Sequence, residues 1–319
     1  MHDSDKTKLK QTHWSKHREK GSIIGLKLTL WTVKLLGRHL AYLLTYPVIG
    51  YFYLFSRKAH QAINTYCQNL HIYAQQQNLD IHAKPLPIFI NFGKSLVDKI
   101  AVWNGQITRK HLNFTNRHEL IERIDQKKGT IIFTAHLGTI EIMRAISNSY
   151  PNSRINALVF NQHAQKFNNT LSQINPNSQL SLISVRHFDM TLAMQLQQKV
   201  DQGEIIIIAC DRTPVTNIAN NQRTVKAQFL GKGAYFPLGG FLLAHLLKAP
   251  VYTMLCLKKG KQFDVIFKPF AESINLPRNQ RHEHLTDYVQ QYSDFLAEYC
   301  LKYPTQWFNF FDFWQSNDG

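Results

Sequence analysis

A histidine placed five residues ahead of a glutamate, where an apolar run gives way to a helical pattern, is the arrangement in this chain best suited to proton transfer. It lies in "TIIFTAHLGTIEIMRAI" (130–146), with His136, Gly138 and Glu141 at the change of pattern. A histidine at the C-terminal end of a strand stands on the rim where open α/β sheets hold their ligands. With a helix beginning near Gly138–Thr139, Glu141 falls in the first turn. From there its carboxylate can reach back, fix the imidazole Nδ1–H and leave Nε2 to take a proton from an acceptor hydroxyl. Gly138 lets a bulky substrate approach the backbone, and the N–H groups of the helix start favour developing negative charge. The same residues also read as a surface histidine followed by a glutamate that complements the helix dipole.

Such a pair needs a scaffold, and the pattern around it supplies one. Short β-rich runs recur at 130–135, 155–160, 180–185, 204–210, 250–257 and 263–269. Helix-period stretches at 139–149, 163–173, 188–201 and 235–248 separate most of them, which predicts an α/β sheet layered with helices. "EIIIIAC" (204–210) is apolar on both faces, as a central strand should be. Helices are expected over 57–77 and 87–103, and a long charged one over 279–303. The division expected is a basic, apolar N-terminal segment (1–57) and one catalytic domain (58–319).

Two phosphate-loop decoys fail. "FGKS" (92–95) would need glycine at position 88, where Ile88 sits, and "GKGAYF" (231–236) ends in phenylalanine where GxGxxG needs glycine. There is no GxSxG elbow and no HExxH. The four cysteines, Cys67, Cys210, Cys256 and Cys300, form no CxxC, so neither a disulfide framework nor a zinc site is expected and no metal is called for.

The chain carries a formal charge of +16, and half of it falls in residues 1–58, where eleven Lys and Arg face Asp3, Asp5 and Glu19. Such a segment seeks an anionic surface, nucleic acid or the acidic inner face of a membrane. Over 22–38, Lys27, Lys34 and Arg38 fall within roughly 40° of one another on a helix, one basic stripe on an apolar cylinder. "LAYLLTYPVIGYFYLFS" (40–56) is uncharged and broken at Pro47, short of the about 20 residues that a spanning helix needs. Residues 22–56 therefore read as a membrane-surface segment, as a span, or as helices packed on the core. Against nucleic acid, the basic residues interleave with long aliphatics and no RNA-binding aromatic motif is present.

"AHLGTIE" resembles the HxxxxD/E block of the lysophospholipid acyltransferase-like superfamily, close to the "HLGNWE" form of its lipid A acyltransferase branch. Further blocks follow in that family's order: "GEIIIIACDR" (203–212), "FLGKGAYFPLGGFLLAHLLKAPVYTM" (229–254) and "YPTQWFNFFDFW" (303–314). Together with "HWSKHREKGS" (13–22), they make the chain resemble a bacterial branch of that superfamily over residues 13–314. The resemblance implies a mixed central sheet flanked by helices and an enzyme that moves an acyl group from a thioester to a hydroxyl or amine of a lipid acceptor. The thioester would be carried on acyl carrier protein or coenzyme A as co-substrate, with no bound cofactor. His136 would act as base and Glu141 would orient it. Asp211 and Arg212, at another strand's end, would face the same cleft, with Arg212 either a phosphate or carboxylate contact or a structural salt bridge. Phe229, Gly231, Pro237 and Gly239 match the acceptor-pocket block, and plain turn chemistry is their alternative.

Where the lipid A branch carries an arginine after the second strand, this chain has "FNQHAQKFNNTL" (160–171). Lys166 or Asn168, or Arg144 one turn beyond Glu141, would have to stand in. The aromatic ending reads as core packing or as an interface anchor. The expected location is the cytoplasmic face of a bacterial inner membrane, with an anionic membrane surface as partner. A basic nucleic-acid binder and a catalytically silent lipid-binding relative are the alternatives.

Overall fold

A computed structural model describes residues 22–148, 150, 153–159, 180–185, 189–212 and 224–314. Its frame is a seven-stranded mixed sheet in the order β1-β9-β8-β2-β5-β3-β4. The strands are β1 (Leu112–Phe114), β2 (Thr130–Thr134), β3 (Ile155–Val159), β4 (Leu180–Ser184), β5 (Ile205–Ala209), β8 (Val251–Lys259) and β9 (Gln262–Ala271). Neighbours are parallel except β8 and β9, so β1 and β9 run against the rest. A separate antiparallel hairpin joins β6 (Thr224–Phe229) to β7 (Lys232–Pro237).

The central strands are mainly apolar because helices cover both faces, and the two-residue period sends alternate side chains to opposite layers. Ile131 and Phe133 of β2, with Ile206 and Ile208 of β5, join one core; Ile132, Ile205 and Ile207 join the other. The first core is closed by α2 (Arg57–Gln76), α6 (Met190–Asp201), α7 (Gly239–Leu247), α8 (Arg281–Lys302) and the hairpin. The second is closed chiefly by α1 (Ser22–Phe55), α3 (Pro85–Trp103), α4 (Arg117–Asp125) and α5 (Ile142–Asn148). In α2 the buried residues Ile63, Tyr66, Cys67, Leu70 and Ala74 repeat at helical spacing, which is why this segment lies flat on the core. Asp189 opens α6 by accepting the Leu192 N–H at 2.8 Å.

Two expectations change. The helix through 40–56 is not broken at Pro47; the chain departs from helical geometry at Gly37 instead, at φ 77°, ψ 168°. Without a Cβ, glycine reaches that conformation readily, whereas proline inside a helix need only bend it. The expected helix over 235–248 starts only at Gly239, because Pro237 ends β7 and excludes Phe236 from the helical region. The predicted helix over 163–173 lies outside the described residues.

From Trp31 on, α1 is packed along α3. A Cβ on Gly93 of α3 would lie 2.6 Å from Ile49 Cγ1 of α1, so glycine permits that approach. Among the described residues no helix is long and apolar enough to cross a membrane. The outward face of α1 nonetheless exposes Leu43, Tyr51, Phe52, Leu54 (71% exposed) and Phe55 (68%).

Candidate active site

Parallel register builds the site. Thr134 of β2 stands opposite Ala209 of β5. Continuing both chains by two residues past the strand ends brings His136 opposite Asp211. His136 Nδ1 lies 2.8 Å from Asp211 Oδ1, and the His136 backbone N–H donates to Oδ2 at 2.8 Å. Trp307 Nε1 donates to the same Oδ2 at 3.3 Å. A carboxylate here accepts from Nδ1–H, which leaves the lone pair on Nε2. The Asp211 side chain is fully buried while that of His136 is 38% exposed, so the carboxylate is fixed and the imidazole stays open to a ligand.

Burial opposes charge on both members. For His136 desolvation acts first and lowers the pKa, Asp211 pulls it up, and Arg212 pushes it down again; the net position is below the ordinary 6.5. For Asp211 burial acts upward, but His136 and Arg212 outweigh it and hold the carboxyl below its ordinary value. The pair is therefore a neutral imidazole on a carboxylate near pH 7. The neighbouring Cys210 is no rival nucleophile: burial pushes its thiol well above the ordinary range, and it points at the Ile208 carbonyl at 3.7 Å.

The hydrogen bond expected from Glu141 to His136 is not formed, because Asp211 already holds Nδ1. Glu141 turns instead to α3, where it forms an ion pair with Lys99. Burial tends to raise its pKa, and Lys99, Arg144 and the Trp103 indole outweigh this and lower it. Arg144 is 1% exposed and stacks on Trp103 at 3.5 Å from the ring centroid. It is a buried element of the α3–α5 contact, not an open phosphate ligand. Burial lowers its pKa to about 10.

Gly138 serves packing, not substrate access. Its φ is +82°, and a Cβ would lie 2.1 Å from the Cys256 carbonyl oxygen of β8. The N–H groups of Gly138 and Thr139 are also taken, by Gln306 O at 2.9 Å and Cys256 O at 2.8 Å. They are not free to hold an oxyanion, contrary to the expectation for a helix start, and α5 itself begins only at Ile142. Gly138→Ala is therefore expected to lose about 2 kcal/mol or more, the scale for a left-handed non-glycine residue before the clash is added. Thermal melting checks this: an unchanged melting temperature would contradict the packing.

The C-terminal segment is the part of the site that the sequence pattern left undecided. Phe308 N–H donates to the His136 carbonyl at 2.9 Å, and Leu137 bridges to Trp307. Gln306 clamps Lys258 of β8 from both sides, accepting its N–H and donating to its carbonyl, each at 2.8 Å. Residues 306–308 thus lie as a strap across the histidine loop. Arg212 ties to that strap through the Phe308 carbonyl and packs over Phe311 at 5.7 Å; it makes no salt bridge within ion-pair distance among the described residues.

The other expected pocket residues are built into the frame. Phe229 is fully buried among Phe236, Trp307, Phe313 and Trp314. Gly231, at φ +75°, follows Leu230, at φ +51°, in the two-residue turn between β6 and β7, the mirror-image turn that such hairpins favour. Pro237 ends β7 and Gly239 opens α7, with open space where a Cβ would stand. The next glycine matters more to the site: a Cβ on Gly240 would lie 2.5 Å from Cys210 Sγ, so glycine brings the α7 start against the strand end that carries Asp211. Lys166 and Asn168 lie outside the described residues.

A partly open histidine oriented by a buried carboxylate, on the carboxyl rim of a helix-covered α/β sheet, is an arrangement with the geometry for acid–base chemistry. Residues 89–316 match the family described as "Bacterial lipid A biosynthesis acyltransferase", and the match spans β2, β5 and the C-terminal strap alike. The chain belongs to that family, and it is a lipid acyltransferase by that membership. No individual curated protein matches it.

Proposed function

We propose that the protein transfers an acyl group from an acyl thioester to a hydroxyl or amine of a membrane lipid, with His136 as general base and Asp211 as its orienting partner. His136 Nε2 takes the acceptor's proton as its oxygen or nitrogen attacks the thioester carbonyl. The tetrahedral intermediate collapses, the C–S bond breaks, and the thiolate leaves and takes up the proton. Asp211 holds the ring in the required tautomer and stabilises the imidazolium that forms. The observation that carries this reading is the 2.8 Å contact between Nδ1 and Asp211 Oδ1 across neighbouring strand ends. Glu141 then acts at one remove, securing α5 to α3 through Lys99.

The protein works at the cytoplasmic face of the membrane, lying on it through the exposed apolar side of α1. A net charge of +16 favours acyl carrier protein, an acidic protein, over coenzyme A as donor, because opposite charges steer encounter. The experiment is transfer of a labelled acyl chain from each thioester into a membrane lipid extract, with thiol release followed in parallel. One label in lipid per thiol released, faster on the carrier protein and slowed by moderate salt, is expected. Thiol release without label in lipid would make the protein a thioesterase, and salt-independent preference for coenzyme A would overturn the donor assignment.

A further inference from the structure

The rim that carries His136 also carries a group of cations that the chemistry above does not use. β2 and β8 run parallel, so Lys258, near the end of β8, lies on the same edge of the sheet as His136. Its ammonium donates to Asp98 Oδ2 of α3 at 2.6 Å and to the Tyr42 hydroxyl of α1 at 2.6 Å. Tyr42 in turn donates to the other oxygen of Asp98, whose side chain is fully buried. Two further cations converge there. Arg38 donates Nη2 to the Lys261 carbonyl at 3.1 Å, while its Nη1 is buried without a hydrogen-bond partner. Lys94, one turn ahead of Asp98, lies over the rings of Tyr42 and Tyr46 at 6.0 and 5.7 Å.

Three cations thus gather about Tyr42 and Lys258, and Asp98, held by Lys258 and Tyr42, is the one carboxylate among the described residues seen to pair with them. Lys258 registers the imbalance: burial lowers its pKa first, Asp98 raises it, and Arg38 and Lys94 depress it again, leaving it below the ordinary lysine value. Beside this cluster the surface is apolar, with Leu35, Leu43 and Tyr46 exposed on α1 and Leu96 on α3. Cations that can hold a phosphate, tyrosines with one apolar and one polar end, and an adjoining aliphatic strip together match the cross-section of a lipid headgroup.

We propose that Arg38, Lys94 and Lys258, framed by Tyr42 and Tyr46, bind the phosphate of an anionic membrane phospholipid whose acyl chains lie along the apolar face of α1. The inference rests on the membrane-docking reading of α1 and adds a discrete site to it. General attraction by the basic N-terminal segment would need neither Lys94 nor Lys258. A lipid seated there fixes the orientation of the molecule and turns the His136 rim toward the layer that holds a lipid acceptor.

The test is co-sedimentation of the full chain with phosphatidylcholine vesicles, with and without phosphatidylglycerol. Arg38→Gln/Lys94→Gln is compared with Lys127→Gln/Lys128→Gln, a control pair just ahead of β2 on the opposite edge of the sheet, and melting curves check that both variants fold. Lys258 is left intact, since its removal would strand the buried Asp98 carboxylate. The phosphatidylglycerol-dependent gain in affinity is expected to fall about twenty-five-fold in the first variant, from roughly fivefold for each basic group near an anionic surface. The control pair and binding to phosphatidylcholine alone are expected to change little. Equal losses in the two variants would overturn the site while leaving membrane docking in place. Wild-type protein that binds neither vesicle would overturn the docking reading itself. Loss of the gain on adding inorganic phosphate would assign the cluster to a soluble phosphate ligand and overturn the lipid assignment.

Discussion

His136→Ala is expected to lower turnover by about 10²–10⁴-fold, the usual span for loss of a general base. The variant also removes one of the three donors at Asp211, the ring Nδ1–H to Oδ1, while the backbone N–H of residue 136 and the Trp307 indole still donate to Oδ2. A buried carboxylate oxygen left without a hydrogen bond costs about 1–3 kcal/mol, so some fall in melting temperature accompanies the loss. His136→Asn separates the two effects. Its side-chain amide can still donate toward Asp211 Oδ1, yet it has no basic nitrogen, so stability should recover while turnover does not. Rate constants and melting curves of both variants decide this, and wild-type turnover in either would remove His136 from the chemistry.

The second large effect is expected from Asp211→Asn, about 10³–10⁴-fold in turnover by analogy with amide replacement of a carboxylate behind a catalytic histidine. The amide oxygen can still accept from the His136 backbone and from Trp307, but the NH2 group then faces Nδ1. The ring must present its lone pair there and carry its proton on Nε2, where a base needs the lone pair. The pH profile gives a second readout. Turnover requires neutral His136, so activity is full above its pKa and falls as pH drops through it. That pKa lies below 6.5, so wild-type activity should hold through neutral pH and decline only in acid. Asp211 raises the His136 pKa, so the residual activity of the variant should persist to still lower pH. An acid limb displaced upward would contradict the assignment.

How far this could be read from the sequence depended on whether a feature was local. The runs at 130–135 and 204–210 announced themselves because a strand covered on both faces must be mainly apolar, and they form β2 and β5. β1 escaped notice because "LNF" is short and half-exposed, and the β6–β7 hairpin because Leu230–Gly231 lacks the usual Asn-Gly or Asp-Gly turn signal. His136 and Asp211 were each legible as groups at strand ends. Their pairing was not, because it depends on β5 returning to lie beside β2 after β3 and β4 have been added further out. Sequence distance favoured Glu141 as the partner, and only the position of α3 shows Lys99 drawing that carboxylate away. Trp307 was visible within an aromatic ending, but the direction of its indole N–H toward Asp211 is a property of the folded chain.

The most direct measurement is the turnover of Asp211→Asn set beside that of Glu141→Gln in one acyl-transfer assay, with melting temperatures of both. Glu141→Gln breaks the ion pair with Lys99 and loosens α5 from α3, so it should melt earlier while keeping turnover within about tenfold of wild type at temperatures where it is folded. Asp211→Asn should fall at least about a hundredfold further. Turnover lost in a folded Glu141→Gln protein and kept in Asp211→Asn would contradict the His136–Asp211 site.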